Sequence, residues 1–593
     1  MRIRTWNDGI LLFSGLLLTF APLLRAEAQD VDVPGNLTMH DSSDPTVGNV
    51  LKEGVPFLHN FGTNNTFLGS GAGNFTMSGF NNTATGNSAF YLNTTGSDNT
   101  ATGFGALGSN DAGSRNTATG RTALFSNTSG AENTATGASA LFFNITGNFN
   151  TASGSNALRS NTGGSGNTAS GAGALTSNTT GGNNTAVGVN ALYGNTTTDN
   201  NTAIGSNALW TNYIGNNNTA TGFNALFFNS AGNQNTAAGV AALYNNTSGT
   251  GNTAVGINAL FSNTTGGRNV AIGIDALFGN STSFGNIAIG EGALRNSSSG
   301  GNIAIGNNAL SNTTSTNYPN TAIGNSALQN NTSGNENTAL GTGALQRNTT
   351  GGINTATGDF ALATNTSGSW NTASGVNALI ANDTGDRNSA FGTLALQRST
   401  TGSDNTAFGT LALEHNEGGN KNTAIGSGAD VSLPNLVNGT AIGYGATVNA
   451  SNKIRLGNTD VTVIEGQVPY TYTSDRNEKE DFRTVDADAV LTKLRALNVT
   501  SWNYKGQDAK QFRHYGPMAQ DFFAAFGRDA VGTIGTPTAI TSGDLDGILL
   551  IAVQALEKRT VEQEKQIADL KTELKEIKRR VGGEVAANVS AGL

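Results

Sequence analysis

The sequence predicts a mainly β chain: a solenoid of 17-residue coils, then a small α+β module, then a coiled-coil helix. Three observations carry this reading. The frame NTATGRTALFSNTSGAE at Asn116–Glu132 returns at Asn133, Asn150, Asn167, Asn184, Asn201, Asn218, Asn235 and Asn252. Only 12% of the 593 residues are charged while 80 are Gly, a composition of repeated turns rather than of ordinary globular cores. Beyond Val448 charge, aromatics and long side chains rise together, and apolar residues near the C-terminus take heptad spacing.

At the N-terminus, Arg2 and Arg4, an apolar run from Ile10 to Leu24 and the Ala26-Glu27-Ala28 pattern predict a signal peptide over residues 1–28. Interrupted by Gly15 and Pro22, the run falls short of the roughly 20 residues that span a bilayer. The mature protein is therefore expected to be exported, extracellular or at the cell surface, with no membrane span. An N-terminal segment occupies residues 29–64, the repeats 65–450, a neck 451–472, the charged module 473–544, and the helix and tail 545–593. A net charge of −9 argues against nucleic acid as a partner. Zero Cys excludes a disulfide framework, thiolate catalysis and cysteine-ligated metals. His40, His59, His415 and His514 lack metal-ligand spacing, and calcium-binding G-G-x-G-x-D nonapeptides are absent, so no metal and no cofactor are predicted.

The repeat register runs from Asn65 to Gly439 in 23 copies, with one step of 16 residues (Asn286 to Asn302) restored by one of 18 (Asn302 to Asn320). Units of constant period that cannot bury a face alone stack to share a core. N-T-A-x-G reads as a short strand closed by Gly. The A-L pair that follows reads as a second strand, closed by N-T-T-G or N-T-S-G. The position after Ala is Thr85, Thr102 and Thr119 early, then Val187, Ile204, Val255, Ile272 and Ile289, later Leu340, Phe391, Phe408, Ile425 and Ile442. So apolar a site is predicted to be buried, with the preceding Thr on the same side. Leu107, Leu124, Leu158, Leu192 and Leu209 supply the other wall. A Thr-x-Thr array such as Thr117 and Thr119 suits an ice-binding face, but Val, Ile and Phe interrupt any regular plane. The Asn-x-Thr triplets are either turn formers or glycosylation acceptors of a eukaryotic secretory pathway. Acids are sparse in the repeats (Asp111, Glu132, Asp275, Glu291), and no carboxylate pair for glycan hydrolysis can be named.

N-T-A-I-G-x-x-A-L resembles the head repeat of trimeric autotransporter adhesins, a left-handed β-roll in which three chains stack their coils around one axis. The resemblance covers about two thirds of the chain and implies a homotrimer that meets a surface glycan or protein. The 17-residue unit, with its added N-T-T-G turn, is longer than that family's. One coil per repeat at about 4.8 Å gives a stack on the order of 110 Å.

The charged module opens with TSDRNEKEDF at 473–482. Asp486–Leu497 has helical spacing and Val499–Tyr504 alternates as a strand. Leu549, Val553, Leu556, Thr560, Gln563, Ile567, Leu570, Leu574, Ile577 and Val581 fall four and three apart, which predicts a parallel coiled coil of about five heptads. The alternative is a single amphipathic helix packed on the module. The order Ser-Asp-x-x-x-Lys, Trp-x-Tyr-Lys, Gly-Pro-Met-Ala-Gln-Asp and terminal helix resembles the C-terminal intramolecular chaperone domain of phage endosialidase tailspikes. That resemblance covers roughly the last 120 residues. It implies a module that trimerises, templates the fibre before it and then cuts itself off: Ser474 as nucleophile, Lys479 as base, the Thr473–Ser474 bond as the cleavage site, and Asp475, Gly516 and Gln520 in support. Glu478, Asp481 and Phe482 depart from the family's more usual residues. Five positions apart on a helix, two side chains diverge by about 140°, so Ser474 and Lys479 can meet only around a turn or across an interface. The expected function is an exported trimeric fibre with a self-cleaving chaperone. The alternative is a glycan- or ice-binding solenoid that retains its C-terminal module as a trimerisation cap.

Overall fold

The computed structural model describes residues 2–5, 29–32, 40–314, 318–461, 463–465, 474–505, 507–528 and 532–590. The apolar run Ile10–Leu24 and the Ala26-Glu27-Ala28 pattern lie outside them. The chain divides into two compact units, Met1–Ile464 and Glu465–Leu593, with the boundary inside the expected neck.

The first unit is a β-solenoid of about 23 turns. Each coil contributes one three-residue strand, most often Thr-Ala-x, which pairs parallel and in register with the same three residues of the next coil, as Thr117–Thr119 does with Thr134–Thr136, and near the end Asp430–Val431 and Thr447–Val448 add a second, two-residue pair. The 16- and 18-residue steps keep register too, Ile287 facing Ile303 and Ile303 facing Thr321. Beyond Thr440–Ile442 the ladder gains a rung that the repeat frame does not announce, Ile454–Leu456, after a step of only 14 residues. At the other end, the antiparallel strands Val50–Lys52 and Val55–His59 close the sheet against Thr66–Leu68.

Two expectations about the coil are corrected. The residue after Ala is not buried: in nearly every rung Ala alone points inward, while the flanking Thr and the variable residue face outward. A strand of three residues has one inward position, and only a methyl fits where the coil is this narrow. Thr117 and Thr119 are thus exposed, and so are Ile204, Phe391 and Phe408. The A-L segment, moreover, is a turn and not a second strand. Leu124 and Thr122 both take left-handed backbone angles, φ 51° and 53°, and the pattern recurs through the stack. That conformation costs an L-residue about 1–2 kcal/mol. Full burial of the Leu side chain returns about 1.5–3 kcal/mol, so burial decides the conformation. The expectation that leucines form the inner wall holds: Leu107, Leu124, Leu158, Leu192 and Leu209 are wholly buried.

Inside the coil run two ladders of buried Asn, which turn propensity alone does not describe. In the first, the Oδ1 of Asn133 accepts the backbone N–H of Asn150 at 3.0 Å, and the Nδ2 of Asn150 donates to the carbonyl of Gly164 at 2.8 Å. In the second, Asn144 donates to Asn127 Oδ1 at 2.7 Å and to the Gly147 carbonyl at 3.0 Å. Amide ladders satisfy both the side chains and the backbone groups that such tight coils would leave unpaired. The same burial seals the Asn of N-T-S triplets such as Asn127 against modification of the folded chain. The strand-closing glycines are equally fixed: a Cβ on Gly120, at φ 138°, would stand 2.5 Å from the Gly137 carbonyl oxygen.

The second unit contains helix α1 (Ala487–Ala496), an antiparallel pair Val499–Trp502 and His514–Pro517, helix α2 (Ala519–Phe526) and helix α3 (Ser542–Ser590). Asp486 caps α1 by accepting from the N–H groups of Asp488 and Ala489. Val490, Phe522, Phe526 and Ile548 form its core. Helix α3 has two apolar faces: Ile548, Ala552 and Ala555 pack on the module, whereas Leu549, Val553, Leu556, Ile567, Leu570, Leu574, Ile577 and Val581 stand exposed. Among the described residues no helix is long and apolar enough to cross a membrane.

Candidate processing site

Asp475 builds the turn on which the site rests. Its Oδ1 accepts the backbone N–H of Asn477 at 2.9 Å and the side-chain Nδ2 of the same residue at 3.1 Å, which caps a 3-10 turn over Arg476–Glu478. The turn closes when the Lys479 N–H donates to the Arg476 carbonyl. One 3-10 turn between positions 474 and 479 replaces the helical geometry that would hold them apart. Lys479 Nζ consequently lies 2.6 Å from Ser474 Oγ, within hydrogen-bond reach of a nucleophile and its base. Both residues are exposed in the single chain.

Two of the unusual residues serve the same turn. The Phe482 ring lies under the Arg476 guanidinium at 5.4 Å, a cation–π contact that anchors the segment after Lys479. Asp481 takes a left-handed angle, φ 58°, which Asp tolerates better than most residues. Thr473, on the far side of the expected scissile bond, lies outside the described residues.

Gly516 and Gln520 do not join the pair. Gly516 sits on the strand His514–Pro517 opposite Thr500, and Gln520 is exposed in the first turn of α2. A Cβ on Gly516 would have Trp502 Nε1 at 4.0 Å as its nearest neighbour, so nothing among the described residues requires glycine there. Beside it lies a cluster that sequence reading missed. Trp502 stacks on His514 at 4.7 Å, Tyr504 packs edge-on, and Trp502 Nε1 and His514 Nε2 lack hydrogen-bond partners among the described residues. The signal available was the alternation of Trp502 with Tyr504. A second missed contact joins Arg559 on α3 to Asp488 on α1 at 2.6 Å, an exposed pair of the kind worth little in stability.

Elsewhere, His415 Nδ1 meets Asp430 at 2.7 Å near the C-terminal end of the solenoid. Burial pushes the Asp430 carboxyl above its ordinary range, partly offset by its hydrogen bond from His415. No group of three or more His, Cys, Asp or Glu among the described residues could hold a metal ion.

Residues 474–531 match the family model described as the chaperone of endosialidase, and the match begins at Ser474 itself. No curated protein matches the chain.

Proposed function

We propose that the chain is an exported, homotrimeric, adhesin-like surface fibre whose C-terminal module templates trimer folding and then releases itself by cleaving Thr473–Ser474. The observation that carries this is the 2.6 Å approach of Lys479 Nζ to Ser474 Oγ at the first residue of the chaperone match. The enzyme is a serine endopeptidase that acts only on its own chain. Lys479 takes the hydroxyl proton, Ser474 Oγ attacks the Thr473 carbonyl carbon, and the C–N bond breaks as an ester forms and the Ser474 nitrogen gains a proton. Water then hydrolyses the ester, leaving a carboxylate at Thr473 and a free hydroxyl at Ser474.

Two unpartnered apolar surfaces support the trimer. The outward positions of the solenoid strands carry Val187, Ile204, Val255, Ile272, Phe391 and Phe408, all exposed in one chain. The seam of α3 repeats that exposure at heptad spacing. Both fit further copies of the same chain.

Intact mass separates the outcomes. Purified wild type is expected to appear as two pieces split between Thr473 and Ser474, with Ser474→Ala and Lys479→Ala remaining whole. A wild type that stays full length as a trimer would overturn the protease and leave the module as a retained cap.

A further inference from the structure

We propose that a groove on the solenoid's flank, between Thr211 and Thr264, binds a neutral polysaccharide strand. The reading gives the adhesive role above a ligand class but does not depend on processing at Ser474. The groove has a volume of about 390 Å3 and runs across four successive coils. Its floor and rims carry hydroxyls, amides and aromatic rings, with no charged side chain.

Its walls are rigid. Tyr193, Trp210, Phe227, Tyr244, Phe261 and Phe278 form a ladder of parallel rings one coil apart, for example 5.1 Å between Tyr244 and Phe261 at an interplanar angle of 4°. Those rings cover one another's faces and cannot themselves take a sugar. They do fix Phe228, which stands edge-on to Phe227 at 4.7 Å and to Tyr244 at 5.3 Å with its outer surface exposed. Tyr213, on the opposite rim, is held over Gly194, where a Cβ would stand 3.1 Å from the ring, and is also exposed. Two aromatic rims that make no other ring contact on their outer surfaces are platforms for the C–H faces of pyranose rings.

Along the two rims the polar groups divide in two. Thr247 and Thr264 spend their hydroxyl protons on carbonyls of the next coil, at 2.9 and 3.0 Å. The Asn245 amide and the Ser262 hydroxyl have no side-chain hydrogen bond among the described residues, and each is only half-buried. A free amide and a free hydroxyl, one and two coils beyond Phe228 on the same rim, recognise sugar hydroxyls. The lack of charge selects neutral sugars over acidic ones. Coils spaced about 4.8 Å apart also present these groups at roughly the rise of an extended saccharide chain.

The test uses the purified wild-type protein, whose solenoid carries the groove, and saturation-transfer NMR with hexaoses of β-1,4-linked glucose, xylose and mannose and with a sialic acid oligomer. At least one neutral hexaose is expected to receive saturation. Its affinity should fall about 10-fold or more in Tyr213→Ala and in Asn245→Ala, both surface changes, and stay unchanged in Tyr444→Ala elsewhere on the shaft. Absence of transfer to every neutral hexaose, an equal signal in Tyr213→Ala, or preference for the sialic acid oligomer would each overturn the proposal. None of these outcomes bears on cleavage, which the mass measurement reads separately.

Discussion

Asn382 and Ser399 occupy neighbouring rungs of the second buried ladder, and only one of them carries an amide. In most rungs the Asn oxygen receives the next rung's Nδ2, as Asn348 receives Asn365 at 2.7 Å, and Asn280, followed by Ser297, shares the break. Ser399 is too short to continue the row, so Asn382 Oδ1 and Ser399 Oγ are both buried without partners among the described residues. Ser399→Asn is therefore expected to stabilise the shaft by about 1–3 kcal/mol, the cost of a buried polar group left unpaired. Its new Nδ2 can reach both Asn382 and the Gly402 carbonyl. Equilibrium denaturation of the two proteins decides it, and a loss of stability would mean that the site cannot accept the larger side chain. Conversely, Asn235→Ala removes the acceptor of the Asn252 N–H at 3.0 Å and the donor to the Gly249 carbonyl at 2.8 Å, and should cost about 2–4 kcal/mol by the same measurement. The ladders were legible in outline, since Asn recurs at two fixed places in nearly every repeat. Their burial was not, because Asn is also the commonest former of exposed turns. The facing of Ile204 and Phe408 was misread for a related reason: apolar character marks a buried site, but the partner that buries it need not be the same chain.

The elements follow from steric limits that a 17-residue frame does not display. Period and strand position could be read from N-T-A-x-G. That the A-L segment is a left-handed turn could not, because Leu ordinarily avoids positive φ and adopts it here only for the burial it gains. The final 14-residue coil ending in Ile454–Leu456 was hidden because it drops the repeat's own signature while keeping its register. At the opposite end, the strand Val55–His59 places a His within the core of its cap. His59 stacks on Phe75 at 4.4 Å, donates from Nε2 to the Ala72 carbonyl at 2.7 Å, and is lowered in pKa by burial. A base whose folded pKa is depressed binds its proton more readily when unfolded. The stability it contributes is thus present above the unfolded value near 6.5 and lost as pH falls below it. His59→Phe, which keeps the ring stack, is expected to flatten the decline in thermal stability between about pH 7.5 and 5. A decline of the same slope in the variant would assign the acid sensitivity to other groups.

At the scale of the whole molecule, assembly and cleavage should be one event. Ser474 and Lys479 are exposed in the single chain, and a lysine acts as a base only as the neutral amine, the form that burial favours. Withdrawal of the pair from water by a neighbouring copy is the physical route to a neutral amine. The heptad seam of α3 offers that neighbour a place to dock without touching the pair. Ile567→Asp combined with Leu570→Asp puts two carboxylates on the exposed seam and leaves the core of Val490, Phe522, Phe526 and Ile548 intact. On the Ser474→Ala background, which keeps the chain whole, sedimentation should find the unaltered seam at three times the chain mass and the double variant at one. With Ser474 restored, intact mass should then show cleavage of the double variant slowed by roughly 100-fold or more, the contribution of a positioned base. A variant that is monomeric yet cleaves at the wild-type rate would separate the two events and make the turn capped by Asp475 sufficient alone. If it stays trimeric but uncut, the seam would instead act on the geometry of the pair, and the solenoid's outward strand face would be what holds the three chains together.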